Sequence, residues 1–68
     1  MNEYLIVYSY WNNGRRIKEY DTFFACSAQE AVNECREESE LIFSAMKGQI
    51  ESVHVDTSRT WEYITNWE

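Results

Sequence analysis

The sequence predicts an α+β domain of ββαββ order, and three observations carry that prediction. An Asn13-Gly14 pair separates two β-forming runs. A Ser27-to-Glu30 capping box opens a stretch with helically spaced apolar residues. Two shorter alternating runs follow Gly48. The expected architecture is a four-stranded, mostly antiparallel sheet of spatial order 2-1-3-4, with one helix packed on one face, all within a single domain spanning 1–68.

The first two strands are expected at 3–11 and 15–25. Asn-Gly between such runs is the strongest short-range hairpin signal, because both residues tolerate the positive φ of a type I′ turn. A two-residue turn pairs Tyr10 with Ile17, Tyr8 with Glu19, Ile6 with Asp21 and Tyr4 with Phe23, and sets Val7 against Tyr20 on the other face. A three-residue loop with a glycine bulge slips this pairing by one and exchanges the faces. Both faces of the first strand are apolar, so the pattern is compatible with either register. The same two-sided character makes that strand central.

The helix is expected over 28–46. Ser27 as N-cap and Glu30 three residues on satisfy two orphan amide donors. Ala28, Ala31, Val32, Cys35, Ser39, Ile42 and Met46 recur at helical spacing and form one apolar stripe. Leu41 falls well off that stripe, which points to a break near 38–40. Lys47 and Gly48 suit a helix end, the lysine near the carbonyl terminus and the glycine free to turn left-handed.

The third strand is expected at 49–56, with Glu51, Val53 and Val55 on one face and Ile50, Ser52 and His54 on the other. After the turn-rich 56–59, the fourth strand is expected at 60–67, with Trp61, Tyr63, Thr65 and Trp67 sharing a face. Strand 2, the helix and strand 3 form a crossover that should be right-handed. The periodicity does not say which sheet face the helix covers.

Composition narrows the function. A chain of 68 residues affords one thin core. Natural domains of this size often add disulfides, a metal or a partner. Cys26 and Cys35 are nine helical residues apart, about 13 Å, which is beyond disulfide reach. With one histidine they lack zinc-ligand spacing, so neither a metal nor another cofactor is expected. Reduced cysteines, no bilayer-length apolar run and no basic leader are read as a cytoplasmic location. Twelve acidic residues against six basic ones leave a net charge of −6, which repels nucleic acid and anionic membrane at long range.

Catalysis has little to stand on. His54, the single histidine, sits between Val53 and Val55 and reads as an ordinary strand residue rather than a general base. Cys26 lies near a helix N-terminus but has no activating histidine beside it in sequence. No phosphate-binding glycine loop is present. No catalytic residue is assigned, and the chain is read as not an enzyme.

Two constellations remain for binding. Glu30, Glu34, Glu37 and Glu38 recur at three- and four-residue spacing, so they crowd one helix face at a cost of a few tenths of a kcal/mol per pair. A carboxylate array of this kind can face a basic groove. Aromatics are the second: three Trp, five Tyr and three Phe make 16% of the chain. Tyr8, Tyr10, Trp11, Trp61, Tyr63 and Trp67, with Tyr4 and Tyr20, are too many for one helix to cover. Some must lie on an uncovered sheet face, where Tyr and Trp favour protein interfaces. The expectation is a small acidic protein-binding module whose partner has a basic surface, with homodimerisation as one use of the exposed rings. The rivals are a single-stranded nucleic-acid module using the sheet aromatics with Arg15, Arg16 and Lys18 at the hairpin tip, and a self-associating structural domain.

A tiny acidic chain, a Tyr/Trp-rich hairpin through 4–24, a Glu-rich helix through 27–46 and no catalytic set together resemble the small inhibitors that phages and mobile elements encode against host defence, anti-CRISPR proteins among them. The resemblance is one of size, composition and organisation. It implies stoichiometric blocking of a basic nucleic-acid-binding host protein, with the helix acids meeting Lys and Arg and an aromatic patch supplying buried contact.

Overall fold

The structure, a computed structural model, describes residues 1–67. β1 (Asn2–Asn12) and β2 (Arg15–Ala25) form a long hairpin. α1 (Ala28–Glu38) and α2 (Glu40–Ala45) follow, then β3 (Gln49–Thr57) and β4 (Thr60–Tyr63). The strands make one antiparallel sheet in the order β2-β1-β3-β4, so β1 is central as its two-sided apolar pattern requires.

The hairpin turn has two residues. Asn13 and Gly14 both take positive φ, 53° and 75°, and Tyr10 pairs with Ile17, Tyr8 with Glu19 and Tyr4 with Phe23. That register settles the faces. Tyr4, Ile6 and Tyr8 of β1, Phe23 and Ala25 of β2 and Val53 of β3 are buried beneath Ala31, Val32 and Cys35 of α1. The helices therefore roof the face that carries the even-numbered residues of β1.

Ser27 caps α1 as expected, its Oγ accepting from the Glu30 amide at 3.1 Å. The break anticipated near 38–40 falls at Ser39, whose backbone leaves helical geometry (φ −113°, ψ 41°) while its amide still donates to the Cys35 carbonyl at 3.0 Å. Re-aiming the chain there brings Phe43 onto the core beside Ile42, and the Phe43 ring lies 5.8 Å from that of Tyr8. Phe43 was outside the expected stripe, because a continuous helix would have carried it to the flank.

Three sequence expectations are corrected. At the end of α2 the left-handed residue is Lys47 (φ 54°), not Gly48. Gly48 is needed for close approach: a Cβ there would sit 2.8 Å from both the carbonyl oxygen and Cγ2 of Ile42. A β-bulge between the Val7 and Tyr8 pairings shifts β3 by one, Val7 facing Ser52 and Tyr8 facing Ile50. Ile50 thereby joins the core face, and Glu51 turns to the opposite face, the reverse of strict alternation. Finally β4 ends at Tyr63 rather than residue 67; the Ile64 amide still bonds the Val53 carbonyl at 2.8 Å, and Ile64 and Trp67 pack against the core.

Candidate protein-interaction surfaces

The sheet face away from the helices is uncovered. Side chains alternate along a strand, so this face takes Leu5, Val7, Ser9 and Trp11 from β1 and the even positions 16–24 from β2. β3 contributes Glu51, Ser52, His54 and Asp56, and β4 contributes Trp61 and Tyr63. Five of its rings are well exposed: Trp11 49%, Tyr20 73%, Phe24 64%, Trp61 42% and Tyr63 59%. Leu5 and Val7 are half-buried between them. The His54 and Tyr63 rings lie 5.6 Å apart across β3 and β4, which form a cross-strand pair.

One polar cluster interrupts this apolar field near the hairpin tip. Ser9 is buried and donates to Glu51 Oε1. Arg16 forms an ion pair with the same oxygen and donates to Ser9 Oγ at 3.1 Å, while Gln49 Nε2 donates to Glu51 at 3.2 Å. These donors, Ser9 first, hold the Glu51 carboxyl at a pKa of about 2, below its ordinary 4.5. Arg16 is thus engaged within the protein rather than held ready for a phosphate.

The opposite side is acidic. Glu30, Glu37 and Glu38 are exposed on α1, with Glu34 half-buried beside them. Where α1 meets α2, Glu37, Glu38 and Glu40 join Leu41 and Ser44 around an open depression of about 480 Å³. Leu41, the residue off the apolar stripe, is 63% exposed and lines this depression beside the three carboxylates. Glu19 and Asp21 of β2 pair with Tyr8 and Ile6, which puts them on the helix side as well.

The residues expected to bind a partner are thus divided between two surfaces. Glu30, Glu34, Glu37 and Glu38 share the helix side. Trp11, Trp61 and Tyr63 share the open sheet face. Tyr8 and Tyr10 belong to neither exposed set. Tyr8 is 5% exposed under α2, and both hydroxyls donate to Glu19, from Tyr8 at 3.4 Å and from Tyr10 at 3.0 Å. Burial and then the Glu19 charge raise the Tyr8 pKa; for Tyr10 the hydrogen bond to Glu19 is the main cause of its rise. Trp67 is corrected too, because the chain leaves the strand after Tyr63 and this ring packs on the core.

Tyr20 and Phe24 are the strongest exposed rings missing from the expected set. Their signal was present in the two-residue turn: once Val7 faces Tyr20, every even position of β2 lies on the uncovered side. Leu41 follows Glu37 and Glu38 at four- and three-residue spacing, a helical neighbourhood that carried the signal for its place beside those acids.

Catalytic constellations are thin. Ser52 Oγ and His54 Nε2 lie 2.9 Å apart as i and i+2 neighbours on one face of β3. Cys35 is wholly buried, and burial followed by the Asp21 charge pushes its thiol up to about 11, far from a reactive thiolate. Both cysteines are free. Among the described residues no group of three or more His, Cys, Asp or Glu side chains could hold a metal ion, and no helix is long and apolar enough to cross a membrane.

No protein-family model, curated protein or solved structure matches this chain.

Proposed function

We propose that the chain is a non-enzymatic protein-binding module that docks its acidic helix side on a basic protein surface. The observation that carries this reading is the open depression that Glu37, Glu38 and Glu40 line together with exposed Leu41. Carboxylates steer a cationic partner and set its register, while an adjoining apolar side chain supplies contact that the partner can bury. Glu30 and Glu34 extend the same charge along α1.

A basic groove built for nucleic acid is the partner surface this pattern fits best. The role that follows is a stoichiometric inhibitor of a nucleic-acid-binding host protein, of the kind mobile elements encode, acting in the cytoplasm. The single-stranded nucleic-acid alternative draws on Arg15, Arg16 and Lys18, and it is weakened by the engagement of Arg16 with Glu51. The test is capture from a bacterial lysate on immobilised protein at low and high salt, beside the Glu37→Lys/Glu38→Lys/Glu40→Lys variant. Retained nucleic-acid-binding proteins that are released by salt and by competing DNA, and lost with the variant, support the proposal. Retention indifferent to the charge reversal would remove it.

A further inference from the structure

We infer that the uncovered sheet face is occupied by a second copy of this chain, the two sheets packing face to face with β1 of one protomer antiparallel to β1 of the other. Three observations select this occupant over a foreign one. First is the size of the face: the Cα envelope measures 38 × 19 × 18 Å. One broad side therefore spans at most about 700 Å², on the scale of the ~800 Å² per partner of a standard stable interface.

Second is the segregation of charge. Among the described residues, the acids on this face are Glu3, Glu51 and Asp56, against Arg16 and Lys18, so it is close to neutral. The charge that would make two copies repel is on the helix side. Face-to-face packing holds the two helix layers about 30 Å apart, well beyond the ~8 Å screening length at physiological salt. A strongly basic partner finds its complement on the helices, not here.

Third is the order of charge along the strands. At the hairpin-tip end Arg16 is paired with Glu51, so Lys18, opposite Ser9, supplies the net positive charge there. Glu3 and Asp56 stand at the other end, beside Phe24 and Trp61. A two-fold axis that reverses strand direction brings the cationic end of each protomer over the acidic end of its mate and the apolar middle over itself. A parallel stacking would set like over like. The face is thus self-complementary, as an isologous interface requires, and the product is a sandwich with both acidic helix layers outward.

The experiment is sedimentation equilibrium from about 1 to about 200 μM, a range that brackets a micromolar dimer, on the wild type, Tyr20→Glu, Tyr63→Glu, Lys18→Glu and the Lys18→Glu/Glu3→Lys swap. Tyr20 and Tyr63 are exposed, so these variants should keep the wild-type far-UV circular dichroism. A wild-type dimer is expected, with both tyrosine variants monomeric, Lys18→Glu weakened by about tenfold and the swap restored towards wild type. A wild type that stays monomeric throughout, or a dimer unmoved by the tyrosine substitutions, overturns the inference. So does a monomer whose tryptophan fluorescence is quenched by single-stranded oligonucleotide. The helix variant Glu37→Lys/Glu38→Lys/Glu40→Lys should remain dimeric, which separates this outcome from that of the partner-binding proposal.

Discussion

Ser9 and Glu51 meet across the β1–β3 bulge, the buried hydroxyl donating to the carboxylate that the bulge turns onto its face. The contact exists only because the register slips by one residue. Without the slip Glu51 would face the core with Val53, where an ionised carboxylate is costly unless paired.

This contact predicts an acid limb of stability. A carboxyl lowered to about 2 from 4.5 stabilises the fold fully above about 4.5, and that contribution disappears as pH falls from about 4.5 to about 2. Glu51→Gln should flatten the urea-denaturation midpoint over that window, while the wild type should lose stability through it. Equal slopes in the two proteins would show that the carboxylate is not favoured by folding.

The α2–β3 junction predicts opposite signs for adjacent substitutions. Gly48→Ala forces a Cβ against Ile42 and should cost about 1–3 kcal/mol. Lys47→Gly relieves a left-handed non-glycine residue and should be neutral or stabilising by up to about 1 kcal/mol. Thermal unfolding reads both, since 1 kcal/mol moves Tm by roughly 4–8 °C in a domain of this size.

The β3–β4 turn stores the same kind of strain twice. Ser58 and Arg59 both take positive φ, 51° and 75°, in the geometry that Asn13-Gly14 adopts at low cost. Ser58→Asn/Arg59→Gly should raise stability by about 1 kcal/mol and sharpen β4 resonances in NMR spectra. A fall in Tm would mean that the Thr57 and Thr60 contacts across the turn, including Thr60 Oγ1 to the Thr57 carbonyl at 2.8 Å, depend on the native pair.

The two thiols predict two labelling rates. Cys26 is exposed and Cys35 is buried with its thiol at about 11. A thiol reagent near neutral pH should modify Cys26 promptly and Cys35 only when α1 lifts from the sheet. Mass spectrometry resolves the two steps, and simultaneous modification would mean that α1 is not held in place.

Much of this fold is legible in residue types. Asn13-Gly14 sets the hairpin register, Ser27 and Glu30 start α1, and the apolar character of both faces of β1 makes it central. What escaped is what long-range packing decides. The bulge opposite Val7 and Tyr8 depends on how β3 settles against β1, and no local residue marks it. The end of β4 at Tyr63 follows from Ile64 and Trp67 reaching the core, which outweighs the alternation of Trp61, Tyr63, Thr65 and Trp67. For the surfaces, periodicity gathered the helix acids but could not choose the roofed side, so Tyr8 and Tyr10 were grouped with rings that lie across the sheet from them.

The central place of β1 also orders how the molecule assembles. Its pairing with β2 closes through a two-residue turn and can form within microseconds, whereas its pairing with β3 joins Tyr8 to Ile50 and must wait for both helices. In a nascent chain the far edge of β1 is therefore bare until β3 has been synthesised. For that interval its amides and carbonyls can be captured by a strand from any neighbouring polypeptide, so crowding during translation, more than heat afterwards, is the hazard this topology carries.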